Sequence, residues 1–198
     1  MELIVISQPS FFKGEAQLIN SLFDMGMQRF HLRKATDNRP AYEQLLGDID
    51  ARYRDRIALH QFHELALKFD IQRLHFKELE RMASKQSPFI DNRSITLSTS
   101  IHSINKIIDL HHFKYTFLGP IFQSISKENY PGTFPLDFQL KHFGGTKVIA
   151  LGGITASKIQ LLQQMNFDGA AVLGAIWNAP ELALKNFKAL QKACQITT

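Results

Sequence analysis

A single-domain α/β chain closed as a (β/α)8 TIM barrel is the fold this sequence predicts, and three observations predict it. Short β-rich apolar runs alternate with helical patterns along the whole chain, the pattern of a parallel sheet with crossover helices. Eight such runs fit within 198 residues, at the lower end of the roughly 200 to more than 400 residues that such barrels occupy. The last two runs each end on glycine, Val148-Ile149-Ala150-Leu151 into Gly152-Gly153-Ile154 and Ala170-Ala171-Val172-Leu173 into Gly174-Ala175-Ile176. A doubly wound open sheet is the alternative, but its G-x-G-x-x-G fingerprint early in the chain is missing.

In chain order the predicted strands are residues 3–7, 29–32, 56–60, 73–75, 94–98, 115–118, 147–151 and 169–173. The stretch 15–25 after the first strand reads as a helix, with Ala16, Ile19, Leu22 and Phe23 on one face. The stretch 101–110 repeats that pattern with Ile101, Ile104, Ile107 and Ile108, and 157–165 and 181–193 continue it. The fourth helix, between 78 and 87, is the weakest and reads as little more than one turn.

Composition fits one soluble domain over residues 1–198: 44% of the chain is hydrophobic and 21% charged, with 11 Gly and 7 Pro, enough for a core without linkers. The Pro/Gly-rich interval 128–135 follows the sixth strand, where a barrel carries a functional loop. A lone Cys194 has no internal disulfide partner, and the opening Met1-Glu2-Leu3-Ile4-Val5-Ile6 lacks the basic start and length of a signal peptide. No apolar run reaches the roughly 18 residues of a membrane span. These features predict a cytoplasmic protein. The net charge of +5 suits anionic ligands, and without a continuous Lys/Arg stripe neither nucleic acid nor membrane is an expected partner. A homo-oligomer is compatible with the sequence and is not specified by it.

In a barrel the chemistry lies at the carboxyl ends of the strands. A glycine turn there exposes backbone N–H groups and a following helix start adds positive dipole, so Gly152-Gly153 and Gly174 point to phosphate. Arg33 and Lys34 after the second strand can clamp one anion, while Ser124, Ser126 and Lys127 after the sixth can serve another. Glu78 and Glu80 are the only carboxylates after an early strand, so a Mg²⁺ ion would rest on them, substrate oxygens and water. His60 and His63 are three apart, but no third ligand follows in a zinc-like pattern. His111-His112 marks a helix end, Phe122 and Trp177 read as core or pocket wall, and Cys194 reads as inert.

At these residues the chain resembles the thiamine-phosphate synthases and the related thiazole tautomerases over nearly its whole length. Phe30-His31-Leu32-Arg33-Lys34 looks like the family's Q-[FL]-R-x-K, and Ser100-Ile101-His102-Ser103 like its S-x-H-[ST]. Gly119-Pro120-Ile121-Phe122-Gln123-Ser124-Ile125-Ser126-Lys127 resembles G-P-[IV]-[FY]-x-T-x-[ST]-K, the most specific of the motifs. Leu151-Gly152-Gly153-Ile154 looks like the G-G-I turn, and Asp168-Gly169 with Leu173-Gly174-Ala175-Ile176 like the D-G-V-x-V-x-S-A-I ending.

The resemblance implies a transferase that joins a hydroxymethylpyrimidine pyrophosphate to a thiazole phosphate in thiamine biosynthesis. Pyrophosphate leaves to generate a stabilised pyrimidine cation, which the thiazole nitrogen attacks. It implies catalytic roles for Arg33, Ser100 and Lys127, with Arg33 and Lys127 on pyrophosphate. His31, Lys34, His60, Gln61, Lys77, Ser124, Ser126, Gly152, Gly153 and Gly174 are the implied substrate-binding residues, and Mg²⁺ is the implied cofactor, with Glu80 as its ligand. The chain departs from the pattern in three places. His60-Gln61 stands where the third strand normally ends in Asn-Asp; His75-Phe76-Lys77-Glu78-Leu79-Glu80 stands for H-[ILV]-G-Q-x-D; and His31 replaces the customary Gln. The tautomerases typically carry His where this chain has Pro120, which cannot shuttle a proton, although His31, His60 or His75 could do so from other strands. A tautomerase-like isomerase and a non-catalytic binder of thiazole or thiamine phosphate are the alternatives.

Overall fold

In the computed structural model, which describes residues 1–81, 95–122, 134–135, 137–141 and 145–196, eight parallel strands close on themselves in sequence order. They are β1 (Glu2–Ile6), β2 (Phe30–Leu32), β3 (Ile57–Leu59), β4 (Arg73–Phe76), β5 (Thr96–Ile101), β6 (Tyr115–Leu118), β7 (Lys147–Leu151) and β8 (Gly169–Val172). Pairing of Glu2 with Gly169 through Val5 with Val172 joins β1 to β8 and shuts the barrel. The eight expected strands are therefore present, with ends moved by a few residues.

Around the strands run α1 (Glu15–Asp24), α2 (Arg39–Asp48), α3 (Leu65–Phe69), α4 (Ile159–Gln164), α5 (Gly174–Trp177) and α6 (Ala183–Gln195), together with short 3-10 turns. Helix α1 buries Ala16, Ile19, Leu22 and Phe23 as its periodicity predicts, the three larger side chains each contributing about 1.5–3 kcal/mol of burial free energy. Helix α2 carries a start signal, since the Asn38 side chain accepts a hydrogen bond from the Ala41 N–H at 3.1 Å and Pro40 sits in the first turn. The fourth helix is a 3-10 turn at Glu78–Glu80, and the remainder of that expectation lies outside the described residues.

One expected helix is corrected. Strand β5 runs through Ile101, and Ile104–Asp109 is a 3-10 helix rather than part of an α-helix. With about three residues per turn, Ile104 and Ile107 share a face, and Ile108 is left 71% exposed. The four isoleucines imitate an α-helical stripe that the backbone does not make.

Alternation along the strands separates two apolar regions. Val5, Phe30, Leu32, Leu59 and Leu74 point outward into the layer between sheet and helices. Ile4, Ile6, Tyr115, Phe117, Ile149 and Ala171 point inward and fill one side of the lumen. The helix layer is tied to the barrel by hydrogen bonds: Trp177 Nε1 donates to the Ile6 carbonyl at 2.6 Å, and the Tyr42 hydroxyl donates to the Leu32 carbonyl at 2.8 Å.

Cys194 is buried in α6, and burial pushes its thiol up to about 11. Against a free cysteine near 8.5 this cuts the thiolate fraction at pH 8 on the order of 100-fold. An aromatic disulfide reagent is therefore expected to label the folded protein only as it unfolds. Labelling in native buffer at the rate of an unstructured peptide would contradict the burial.

Candidate functional site

The carboxyl mouth begins with Arg33, which follows β2. The Ser7 hydroxyl fixes its backbone twice, accepting from the Arg33 N–H at 2.9 Å and donating to the Arg33 carbonyl at 2.6 Å. Its side chain is exposed and meets no partner among the described residues. The guanidinium charge is felt by both His60 and His75, so it stands near the open end of the lumen. An unpaired arginine fork held there is what recognition of a phosphate requires.

Lys34 is placed differently from the expectation. Its ammonium is buried and donates to Glu15 Oε1 at 2.5 Å, to the Gln8 carbonyl at 2.9 Å and to the Ser10 carbonyl at 3.2 Å, using all three N–H donors inside the protein. It also sits over the Phe11 ring, 4.5 Å from its centroid. Burial pushes the Glu15 carboxyl up and the Lys34 ammonium down, and their mutual attraction opposes both shifts. Lys34 is thus a tie between α1 and the end of β2.

Gln61 is likewise a brace. Its carbonyl oxygen accepts from the Lys34 N–H at 2.8 Å and its amide donates to Asp37 at 2.9 Å, joining the loops after β2 and β3. Lys77 is exposed and pairs with Glu80 at 3.3 Å.

His31 and His60 point inward, below the mouth. Leu59 pairs with Leu74, so His60 and His75 follow side by side on β3 and β4, and their rings stack 4.0 Å apart. His31 Nδ1 lies 2.8 Å from His60 Nε2, and His31 Nε2 lies 2.7 Å from the Tyr115 hydroxyl. His75 has Ser98 and Ser100 hydroxyls at 2.9 Å on its two nitrogens. Burial, ahead of neighbouring positive charge, holds His31 and His60 well below the usual imidazole range and pushes His75 down to about 3, so all three are neutral at physiological pH. Ser100 therefore works within this lumen network. Ser98 and Tyr115 were absent from the expected site, and His75 entered it only as an alternative proton shuttle; the signal for the serines was their spacing of two on one strand, which turns both hydroxyls inward.

On the opposite side, the motif after β6 lies along the turn after β7. The Ile121 N–H donates to the Leu151 carbonyl at 2.8 Å and the Phe122 N–H to the Gly152 carbonyl at 3.2 Å. Glycine is needed at both contacts: a Cβ on Gly119 would stand 2.3 Å from the Leu151 oxygen, and one on Gly152, at φ 103°, would stand 2.8 Å from Pro120 Cβ. Gly153 also has positive φ, and its carbonyl accepts from Lys158 Nζ at 2.8 Å. Gly174 opens α5 directly after β8. Ser124, Ser126 and Lys127 lie outside the described residues.

A magnesium ion, implied by the resemblance, takes oxygen ligands with little tolerance for other geometry. The described residues do not fit it. Glu80, the expected ligand, is engaged by Lys77, and Glu78 is paired with Arg81 and Lys106. Among the described residues, the one group of three metal-capable side chains is the nitrogen set His31, His60 and His75.

This geometry defines a class: a (β/α)8 barrel whose carboxyl mouth carries, at one side, a guanidinium unpaired among the described residues and, at the other, glycine turns. Within that class, residues 3–176 match the family described as thiamine monophosphate synthase. The chain belongs to that family, whose members are transferases. A thiamine-phosphate synthase of Haemophilus influenzae (strain PittEE) is 25% identical over 171 residues, covering 83% of this chain and 75% of that protein. A crystal structure of a thiamine phosphate pyrophosphorylase from Bacteroides thetaiotaomicron superposes with a TM-score of 0.79 and 27% identity, covering 100% of both chains. A thiamine phosphate pyrophosphorylase from Pyrococcus furiosus, at TM-score 0.70 and 18% identity over 98% of this chain and 95% of that one, shares the fold. No helix among the described residues is long and apolar enough to cross a membrane.

Proposed function

We propose that this chain catalyses thiamine phosphate formation from a hydroxymethylpyrimidine pyrophosphate and a thiazole phosphate. The carbon–oxygen bond between the pyrimidine methylene and pyrophosphate breaks, the thiazole nitrogen forms the new carbon–nitrogen bond, and pyrophosphate leaves with the electron pair. The observation that carries the reading is Arg33: a guanidinium anchored through its backbone by Ser7 and without a side-chain partner among the described residues, at the mouth of a barrel of this family.

In this reading Arg33 takes the charge that develops on pyrophosphate as the bond breaks, the stage at which fixed positive charge accelerates the reaction most. The thiazole phosphate takes the other side, on the backbone at Gly153 and Gly174 and on Ser124 and Ser126, while Lys127 joins Arg33 on pyrophosphate. Gly152 shapes that turn, and the lumen network of His31, His60, His75 and Ser100 forms the floor beneath the pyrimidine. Magnesium has no step here; the cations of the chain carry the neutralisation.

The test is incubation of purified protein with both substrates, with Mg²⁺ and again after chelation, following thiamine phosphate and pyrophosphate together. Equal release of both products in either condition is expected. No product in any condition, with thiazole phosphate still bound in calorimetry, would overturn the reading in favour of a non-catalytic binder.

A further inference from the structure

Three imidazoles from successive strands meet inside the barrel, and one ligand nitrogen from each lies within 4.8 Å of the others. Nitrogens on a tetrahedral ion at about 2.0–2.1 Å stand roughly 3.3 Å apart. The 2.8 Å between His31 Nδ1 and His60 Nε2 has therefore to widen by about half an ångström, and the His75 ring has to turn toward them.

In His31 and His75 the other ring nitrogen already has a suitable partner. A metal-ligating histidine keeps its second N–H on a group that fixes the ring. For His31 that group is the Tyr115 hydroxyl at 2.7 Å. His75 has a serine hydroxyl at 2.9 Å on each nitrogen, so either can coordinate while the other stays held. Phe117 supports the cluster, its ring centroid 4.8 Å from those of His31 and His75.

We propose that the lumen binds one borderline divalent transition-metal ion, such as Zn²⁺ or Co²⁺, through His31 Nδ1, His60 Nε2 and one ring nitrogen of His75. The donor set chooses the ion: neutral imidazoles suit Zn²⁺, Co²⁺, Ni²⁺ and Cu²⁺, whereas Mg²⁺ and Ca²⁺ seek oxygen. Three protein ligands leave a fourth position for water or an anionic oxygen, the composition of an open zinc site.

The experiment is titration of chelator-treated protein with Co²⁺ alone, read in the visible spectrum. One equivalent giving the intense absorption of a tetrahedral site, displaced by Zn²⁺ and unaffected by Mg²⁺, is expected. His31→Gln and His75→Gln should each weaken Zn²⁺ binding at least 10-fold in calorimetry. Absence of binding, or a pale octahedral spectrum that these substitutions leave unchanged, overturns the proposal. Because lumen variants risk misfolding, imidazole ¹⁵N resonances of the unaltered protein supply a second readout. Zn²⁺ should shift those of His31, His60 and His75, and shifts confined to His102, His111 and His112 would overturn the site. None of these measurements reads turnover, so they stand or fall separately from the synthase reaction.

Discussion

Lys34→Met is expected to lower the free energy of unfolding by about 3–5 kcal/mol, measured as a shift of the urea midpoint at constant slope. The substitution keeps an aliphatic chain of similar length over Phe11, so the loss is electrostatic. It strands the Glu15 carboxylate, whose Oε2 has no hydrogen-bond partner among the described residues, and leaves the Gln8 and Ser10 carbonyls without their ammonium donor. A buried charge without its partner costs far more than the intact pair contributes. The double substitution Glu15→Leu with Lys34→Met should therefore regain most of the loss, keeping a deficit of about 1–3 kcal/mol from the unpaired carbonyls. A change below about 1 kcal/mol in Lys34→Met would show that the ammonium is not held by Glu15 in solution and is available to substrate after all.

Arg33→Ala should act in the opposite manner. An exposed side chain without a partner among the described residues carries little folding energy, so the free energy of unfolding should stay within about 0.5 kcal/mol of the unaltered protein. Turnover should suffer: kcat/KM for the pyrimidine pyrophosphate is expected to fall about 100- to 1000-fold, as for loss of one preorganised donor to a developing anion. The KM for thiazole phosphate should be nearly unchanged. Arg33→Lys keeps the charge without the planar fork and should recover only part of the activity. Equal loss for both substrates would mean that Arg33 supports the whole mouth instead of gripping pyrophosphate.

Much of the architecture was readable because it is local. Each strand is a short apolar or β-branched run, α1 carries its buried face at helical spacing, and the glycine turns mark where β7 and β8 end. The isoleucines at 101, 104, 107 and 108 misled because spacing alone does not distinguish an α-helix from a strand followed by a 3-10 turn. Helix α2 could have been placed from Asn38 and Pro40, which supply a cap and a first turn. Arg33 was legible as a cation at a strand end, and nothing beside it in the sequence engages it. Lys34, its immediate neighbour, was not, because its fate depends on Glu15, 19 residues earlier and on a different element.

The sequence by itself determined a (β/α)8 barrel, the direction of its functional mouth and the glycine turns of that mouth, all of them consequences of periodicity and backbone freedom along adjacent residues. Only the tertiary structure decided which polar groups at the strand ends stay exposed and which are consumed in holding the fold. It withdrew Lys34 and Gln61 into ties between loops and left the Arg33 side chain without a partner among the described residues. It also gathered His31, His60 and His75 into one cluster. His60 and His63 had lacked a third ligand nearby in sequence; the partners of His60 come from β2 and β4, because closing the barrel in register turns inward-facing residues of neighbouring strands onto one another.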